Sequence, residues 1–401
     1  MQGFWAWIVL VASTRYLAFV TRMGIVPFYP ELMERFGVTY TGAGALYTAF
    51  FVGYAGTMVP AGVIADRRPP LKLITAGLLL MTASGAALAF GGSFGQAMAA
   101  RALQGVGVAL TITAVFKVVA AVFPRSIRGR AVALMEQASG LGMLTALTLL
   151  PMLSGWVESR WLLALQPALC LAAVALVPLV ARRAEAESAA STTAAGPLPP
   201  LRQFFGRDLA WLTVTSTLGL VAANGVLGWI PTYLTDDLGQ DRATAGLVTG
   251  LILAGQLLGV YPAGIVSDRI GRRKPVLYAG TAMLAVSLAS LLVVRGLALY
   301  VSAALLGVGL AWAVAPMMML TAEVFGPTRA GLMSSITVAA SQVFSGFAGV
   351  LFGWLLDLTG GFTAVWLTAT GLVGLRMLTL AGIREKQVPL GDAAARPFRA
   401  R

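Results

Sequence analysis

The segment Pro262-Ala-Gly-Ile-Val-Ser-Asp-Arg269 has a counterpart 202 residues earlier, Pro60-Ala-Gly-Val-Ile-Ala-Asp-Arg67. Other residue pairs of the same type keep this offset: Gly37 with Gly239, Gly44 with Gly246, Gly105 with Gly307, Gly107 with Gly309, and Phe123 with Phe325. An offset that stays constant over most of a chain indicates an internal duplication. The sequence therefore predicts two halves with similar folds.

The composition indicates that lipid covers much of the chain. Of the 401 residues, 58% are apolar and 11% are charged, whereas soluble domains carry about 25% charged residues. Apolar runs approach or exceed the roughly 20 residues that cross a bilayer. We predict an all-α membrane protein with twelve transmembrane helices in two pseudo-symmetric six-helix bundles, with bounds near 4–29, 43–65, 71–90, 95–122, 129–153, 161–181, 209–234, 243–266, 275–294, 297–322, 330–356 and 362–383.

The loops predict the domain bounds and the orientation. We expect a first bundle over 1–181, a cytoplasmic linker rich in Ala, Ser, Thr and Pro over 182–207, a second bundle over 208–383, and a tail over 384–401. If both termini are cytoplasmic, 20 Lys and Arg residues lie on the cytoplasmic side and four on the other side. Basic residues concentrate on the cytoplasmic side of membrane proteins. The chain is thus predicted to be a multi-pass protein of the inner membrane.

Several classes of function are disfavoured by composition. The chain has no histidine and one cysteine, Cys170, which lies in an apolar run. Catalysis by histidine, histidine metal sites and a disulfide framework are therefore excluded. The net charge of +13 is explained by basic cytoplasmic loops, so we expect no nucleic-acid partner. With no clustered metal ligands and no nucleophile–base pair, we expect no cofactor and no metal. A membrane enzyme or sensor is the alternative from another class.

The loop motifs resemble those of the major facilitator superfamily of secondary transporters. The stretch from Gly264 to Arg273 matches the family's G-x-x-x-D-R-x-G-R-R in full. The first-half copy keeps Gly62, Asp66 and Arg67 but has Pro-Pro-Leu where the family has Gly-Arg-Arg. Arg101-Ala-Leu-Gln-Gly-Val-Gly107 resembles a second motif, R-x-x-Q-G-x-G. The resemblance covers almost the whole chain and implies a fold in which helices 1, 4, 7 and 10 line a central cavity.

The resemblance implies a gate at the cytoplasmic loops. An acid at the C-terminal end of a helix opposes the helix dipole and needs partners. By resemblance, Asp66 pairs with Arg128 or Arg130 and with the start of helix 11, which latches the halves in the outward-open state. Gly62 and Gly264 are expected to permit close helix contact. The alternative is that these charges only mark turns. The predicted gating residues are Gly62, Asp66, Arg67, Arg128, Arg130, Gly264, Asp268, Arg269, Gly271, Arg272 and Arg273.

Charges at membrane depth are costly and face a cavity or a partner. Arg15 lies about 16 Å into helix 1, close to the midplane, and Arg22 follows at i+7 on the same face. Glu136 of helix 5 is also near mid-depth, where it is either a proton-coupling group or a static partner of Arg15. Arg101 and Lys117 lie on helix 4. Snorkelling to an interface is the alternative for Arg22 and Lys117, and Arg376 is assigned a structural role.

Uncharged polar and aromatic residues of the second half complete the candidate site. Packing or bonding between helices is the alternative for each of them. The predicted substrate-binding residues are Arg15, Arg22, Lys117, Asn224, Trp229, Gln256, Trp312 and Gln342, and the predicted proton-coupling residues are Glu136 and Arg101.

An excess of buried positive charge favours an anionic substrate. We therefore expect a monomeric transporter that moves a small organic anion by alternating access, with protons as the candidate coupling ion. A proton-coupled antiporter of amphiphilic drugs is the first alternative. Arg101 and Gln104 resemble an element of such antiporters. The segment from Ser139 to Thr145, however, lacks the G-P-x-x-G-G element that is typical of them.

Overall fold

The computed structural model describes residues 2–123, 125–184, 206–325 and 330–385. Within these ranges every regular element is a helix, as the sequence predicts. Short helical segments continue α1, α5, α7 and α11. The spans are α1 Gln2–Met23, α2 Tyr40–Arg67, α3 Pro70–Phe90, α4 Phe94–Val122, α5 Arg125–Leu144, α6 Ser159–Ala184, α7 Arg207–Thr232, α8 Arg242–Ile270, α9 Lys274–Ser290, α10 Leu297–Phe325, α11 Ala330–Ser345 and α12 Phe362–Gly382.

The spans have the length and surface of helices in lipid. Among the described residues, eleven helices are long and apolar enough to cross a membrane. The one remaining span, α9, is shorter and has 17 residues. Large apolar side chains on the spans are openly exposed, among them Val59 at 76%, Leu258 at 72% and Val286 at 70%. Apolar side chains exposed to this extent need an apolar environment, and the lipid bilayer provides it.

The α-helix of the first span ends before the predicted position 29. The chain continues as a 3-10 turn, Val26–Phe28, and a short helix, Tyr29–Phe36. Pro27 has no amide hydrogen and cannot bond to the preceding turn, which accounts for the interruption. Gly37 ends the short helix with a φ of +62°, and its repeat equivalent Gly239 has a φ of +61°. This conformation favours glycine.

The internal repeat produces the same backbone contacts in both halves. A Cβ added to Gly105 of α4 would lie 2.0 Å from the carbonyl oxygen of Phe50 in α2. A Cβ added to Gly307 of α10 would lie 1.9 Å from the carbonyl oxygen of Ile252 in α8. Both partners of the second contact lie 202 residues after those of the first. Small residues permit this close approach of helices in membranes.

By compactness the chain divides into two units. The first comprises Met1–Leu198, Asn224–Gly250 and Gly346–Val365, and the second comprises Pro199–Ala223, Leu251–Ser345 and Trp366–Arg401. The domain bounds predicted from the sequence stay predictions, because residues 185–205 of the linker and 386–401 of the tail lie outside the described residues. We name the two ends of each span external and cytoplasmic as the charge distribution predicts them.

Candidate functional site

Arg15 of α1 forms an ion pair with Glu136 of α5. Its Nη2 donates to Glu136 Oε1 at 2.7 Å. The Arg15 side chain is 9% exposed and that of Glu136 is 58% exposed, so the pair lies at the edge of an open surface. The ring of Phe19, one turn after Arg15, has its centre 5.3 Å from Arg15 Cζ. The structure thus shows the pairing of Arg15 with Glu136, and the coupling role of Glu136 stays a prediction.

Arg22, in the last turn of α1, has a neutral partner. Its Nη2 donates to Asn224 Oδ1 of α7 at 2.8 Å. Its Cζ lies 4.7 Å from the centre of the Phe51 ring and 5.6 Å from that of Phe19. Within the part of the chain that the structure describes, Arg22 makes no ion pair. A guanidinium held by an amide oxygen and aromatic faces can accept an anion without first losing a carboxylate partner.

The contact between Arg22 and Asn224 also marks a position in the fold. The two residues are 202 apart in sequence, so each is the repeat equivalent of the other. In a pseudo-two-fold arrangement only positions near the axis can touch their own equivalents. With the two-fold relation of the halves that the duplication predicts, Arg22 is expected near the axis, where a solute path through the protein is also expected.

Aromatic residues of α2 form a wall beside Arg22. Tyr47, Phe50, Phe51 and Tyr54 follow the spacing i, i+3, i+4, i+7 and share one helix face. The Phe51 ring meets those of Phe50 and Tyr54 edge to face, with centres 5.6 and 6.4 Å apart. We did not predict this wall from the sequence, although the aromatic spacing signals it.

Arg101 of α4 is fully buried and bonds to backbone carbonyls. Its donors reach the oxygens of Thr21 at 2.8 Å, Arg22 at 3.1 Å and Leu46 at 3.2 Å. It also donates to Gln104 Oε1 at 2.7 Å. Carbonyls at the end of a helix lack partners within the helix, so Arg101 stabilises the end of α1 that carries Arg22. Its coupling role stays a prediction.

Lys117 of α4 donates to the carbonyl oxygen of Ala65, near the cytoplasmic end of α2. A cation near the C-terminal end of a helix interacts favourably with the helix dipole. The contact therefore favours an interfacial role for Lys117, and its substrate role stays a prediction.

Trp229 of α7 is fully buried. Its Nε1 donates to the carbonyl oxygen of Gly349 at 3.3 Å, and its ring centre lies 5.1 Å from that of Tyr29. Trp229 therefore presents no surface to a solute in this conformation.

The remaining wall candidates, Gln256, Trp312 and Gln342, are half-buried and lie in the second unit. Gln342 Oε1 accepts a hydrogen bond from Ser345 Oγ at 3.4 Å. Trp312 Nε1 is buried without a hydrogen-bond partner in the described ranges. That donor is available for an acceptor, so Trp312 keeps its place among the candidates.

The second-half loop motif forms a charge cluster. Arg273 Nη1 donates to Asp268 Oδ1 at 2.5 Å, and Arg273 Nε donates to Glu323 Oε1 of α10 at 2.9 Å. Gly271, with a φ of +67°, turns the chain between the acid and the arginine. The motif thus ties the cytoplasmic ends of α8, α9 and α10 together. We did not predict Glu323, because its single charge ends a long apolar run.

Two further basic residues of this motif region bind Glu385, which follows α12. Arg272 Nε donates to Glu385 Oε2 at 3.4 Å, and the backbone amide of Lys274 donates to Glu385 Oε1 at 3.0 Å. Arg269 is exposed. The motif therefore also joins the cytoplasmic ends of α9 and α12 within the second unit.

The first-half copy of the motif is described in part. Arg67 and Arg130 are exposed, and the side chains of Asp66 and Arg128 lie outside the described residues. The latch that the family resemblance implies for Asp66 therefore stays a prediction.

Among the described residues, the two motif glycines make no close contact with another helix. A Cβ added to Gly62 or Gly264 would meet no described atom within 4 Å. The gating role of these glycines stays a prediction. Close approaches occur instead at Gly105 of α4 and Gly307 of α10.

Comparisons with known proteins identify transporters that are similar to this chain. A probable 4-methylmuconolactone transporter of Cupriavidus pinatubonensis is 29% identical over 61% of this chain, which spans 58% of that relative's length. A hexuronate transporter of Bacillus subtilis is 25% identical over 91% of this chain and 90% of the relative.

A solved D-xylose–proton symporter has a TM-score of 0.78 and covers 96% of this chain and 100% of its own, at 17% identity. At that identity the likeness concerns the fold alone. The model of the Major Facilitator Superfamily matches residues 11–239 and 230–397. The matches span nearly all of the helical repeat described above, and the chain belongs to the Major Facilitator Superfamily.

Proposed function

We propose that this protein is a secondary transporter that moves a small organic anion by alternating access, with the anion bound beside Arg22 and Arg15. The observation that carries the proposal is the unequal pairing of these cations. Arg15 has Glu136 as its counter-ion, whereas Arg22 has the amide oxygen of Asn224. Among the described residues, the pair of arginines thus keeps one positive charge without a carboxylate.

A carboxylate fits the position of Arg22 in chemistry and in shape. Charge-assisted hydrogen bonds are roughly twice as strong as neutral ones, and the planar guanidinium binds both oxygens of a carboxylate. An anion can therefore replace Asn224 Oδ1 with a gain in interaction energy. The rings of Phe19 and Phe51 flank the guanidinium and favour an anion with a flat or apolar body.

The hexuronate transporter supports the same substrate class, since a hexuronate is an organic anion. The uncompensated charge of Arg22 disfavours the alternative, a cationic amphiphilic drug. Glu136 is the proposed proton carrier, because it is a carboxylate paired with Arg15 on the helix that carries Arg22 of the proposed anion site. We further propose that both termini face the cytoplasm.

Thermal unfolding of the purified protein with added ligands tests the substrate class. The probes are glucuronate, gallate and the cation ethidium at matched ionic strength. A ligand at 100 times its Kd stabilises by about 2.7 kcal/mol. We expect carboxylates to raise the Tm of the wild type, and to do so less for Arg22→Gln. Arg160→Gln is the control, because Arg160 is exposed and paired with Glu158. A rise with ethidium and none with either carboxylate would refute the proposal.

A further inference from the structure

α2 begins without a cap of its own. Its N-cap residue, Thr39, makes no side-chain cap hydrogen bond. The cap comes from Asp357, in the helix Ala348–Thr359 that follows α11. Asp357 Oδ1 accepts from the amide of Tyr40 at 3.1 Å, and Oδ2 accepts from the amide of Thr41 at 2.8 Å and from its hydroxyl. A carboxylate of the second half thus satisfies the first amides of a first-half helix.

The equivalent helix of the second half caps itself. α8 begins at Arg242, and Asp241 precedes it. Asp241 Oδ2 accepts from the amide of Thr244 at 3.1 Å, and Oδ1 accepts from its hydroxyl at 2.6 Å. Asp241 lies 202 residues after Thr39. The two halves therefore differ at this point, because one helix has a local cap and the other depends on a distant residue.

The capping helix packs closely against α2. A Cβ added to Gly349 would lie 2.7 Å from the carbonyl oxygen of Gly44. A Cβ added to Gly353 would lie 2.4 Å from the carbonyl oxygen of Tyr40. Such contacts require glycine, so Asp357 caps α2 at the end of an interface that the backbone itself forms.

These contacts join the two halves of the chain at their external ends, as does the ion pair of Glu31 with Arg242. Alternating access, which is part of the proposed function, requires these ends to separate once in each cycle. We infer that Asp357 is a positioning residue of that cycle. It caps α2 only while the external ends are together, favours the externally closed state, and holds the aromatic wall of α2 beside Arg22.

Two roles of Asp357 can be separated by giving α2 a new cap of its own. If Asp357 is only a helix cap, the new cap should restore both the Tm and the distribution of states. If its bonds form in one state only, the new cap should restore the Tm alone. Loss of an N-cap changes the equilibrium between a state that has the cap and a state that lacks it about fivefold. Asp357→Ala should therefore lower the Tm and shift the population toward the externally open state by about that factor. Adding Thr39→Asp supplies α2 with the local cap that Asp241 supplies to α8. In the double variant we expect the Tm to recover while external opening stays increased.

External opening is measured as the distance between spin labels at Glu34 and Gln240, with the buried Cys170 replaced by alanine and without substrate. Asp241→Ala is the matched control, since it removes a cap within one half and should lower the Tm without changing the distances. A longer-distance population in Asp357→Ala that persists with Thr39→Asp supports the inference. An unchanged distribution in Asp357→Ala, or its full return to that of the wild type with Thr39→Asp, overturns it. Because no solute is added, neither outcome depends on the substrate being an anion.

Discussion

Arg15 and Arg22 are both arginines of α1, but their electrostatic surroundings differ. Depth alone favoured Arg15 as the main anion ligand. In the structure, Arg15 is paired with Glu136, whereas Arg22 bonds to Asn224. An anion at Arg15 would compete with a carboxylate already in place, whereas one at Arg22 would replace a neutral amide. Anion affinity should therefore depend more on Arg22.

Arg22→Gln should lower the affinity for a carboxylate probe by roughly 10- to 100-fold, because a hydrogen bond to a charged group contributes about 1.5–3 kcal/mol. Arg22→Lys keeps the charge but lacks the planar guanidinium, so its affinity should lie between those of the wild type and Arg22→Gln. Calorimetric titration with gallate or glucuronate measures both affinities, with Arg160→Gln as the control. Equal affinities of wild type and Arg22→Gln would contradict the site.

Glu136→Gln separates coupling from static pairing. Breaking a buried pair costs roughly 3–5 kcal/mol, but the Glu136 side chain is 58% exposed. Glutamine keeps a side-chain oxygen that can accept a hydrogen bond from Arg15, so we expect a smaller loss of stability than for a broken buried pair. Uptake driven by a pH gradient should be lost, while exchange of substrate between equal pools continues. Liposome assays measure both, and Glu158→Gln is the control. Gradient-driven uptake at the wild-type rate would exclude Glu136 as the proton carrier.

At the scale of the element, the helix pairs of each half depend on glycines whose backbones touch a neighbour. The contacts of Gly105 with Phe50 and of Gly307 with Ile252 are the same contact in the two halves. At the motif glycine Gly62, an added Cβ would meet no described atom within 4 Å. Glycine is therefore required in the middle of the crossing and not, in this conformation, at the loop motif.

Gly105→Ala and Gly307→Ala should each destabilise the protein by about 1–3 kcal/mol, since the added methyl group forces two helices apart. Gly62→Ala is the matched control, because its methyl group meets open space and alanine is the better helix former. Thermal unfolding in detergent measures the difference. Equal Tm values for Gly105→Ala and Gly62→Ala would show that the crossing adapts without cost.

At the scale of the whole molecule, the distribution of charge predicts how the chain lies in the membrane. Positive loops stay on the cytoplasmic side because transfer of Lys and Arg across the membrane is disfavoured during insertion. In this orientation, the start of α1 and the end of α12 are predicted to lie on the same side, as an even number of spans requires.

Single cysteines at Ser191 and Gln240, in a background with Cys170 replaced by alanine, test this orientation. A membrane-impermeant thiol reagent added to intact cells should label the cysteine at 240 and leave the one at 191 unlabelled until the cells are opened. Labelling of the cysteine at 191 in intact cells would contradict the two-half topology, since the predicted linker joins α6 to α7.

Features that depend on composition and spacing could be read from the sequence. The duplication, the helical class and the span order follow from a constant offset and from apolar run length, which are properties of consecutive residues. The pairing of Arg15 with Glu136 was an open alternative, because both residues lie at similar depth in their spans. Depth along a helix is accessible from residue counting at 1.5 Å per residue.

Only the tertiary structure decided which side chains meet. Arg22 finds Asn224 at a separation of 202 residues, and Asp357 finds Thr41 at a separation of 316. Whether two helices at the same depth bring particular side chains together depends on the rotation of each about its axis, and in these uniformly apolar spans the sequence pattern leaves that rotation open. The partner of Arg22, and with it the charge left for a substrate, is therefore a property of the packing.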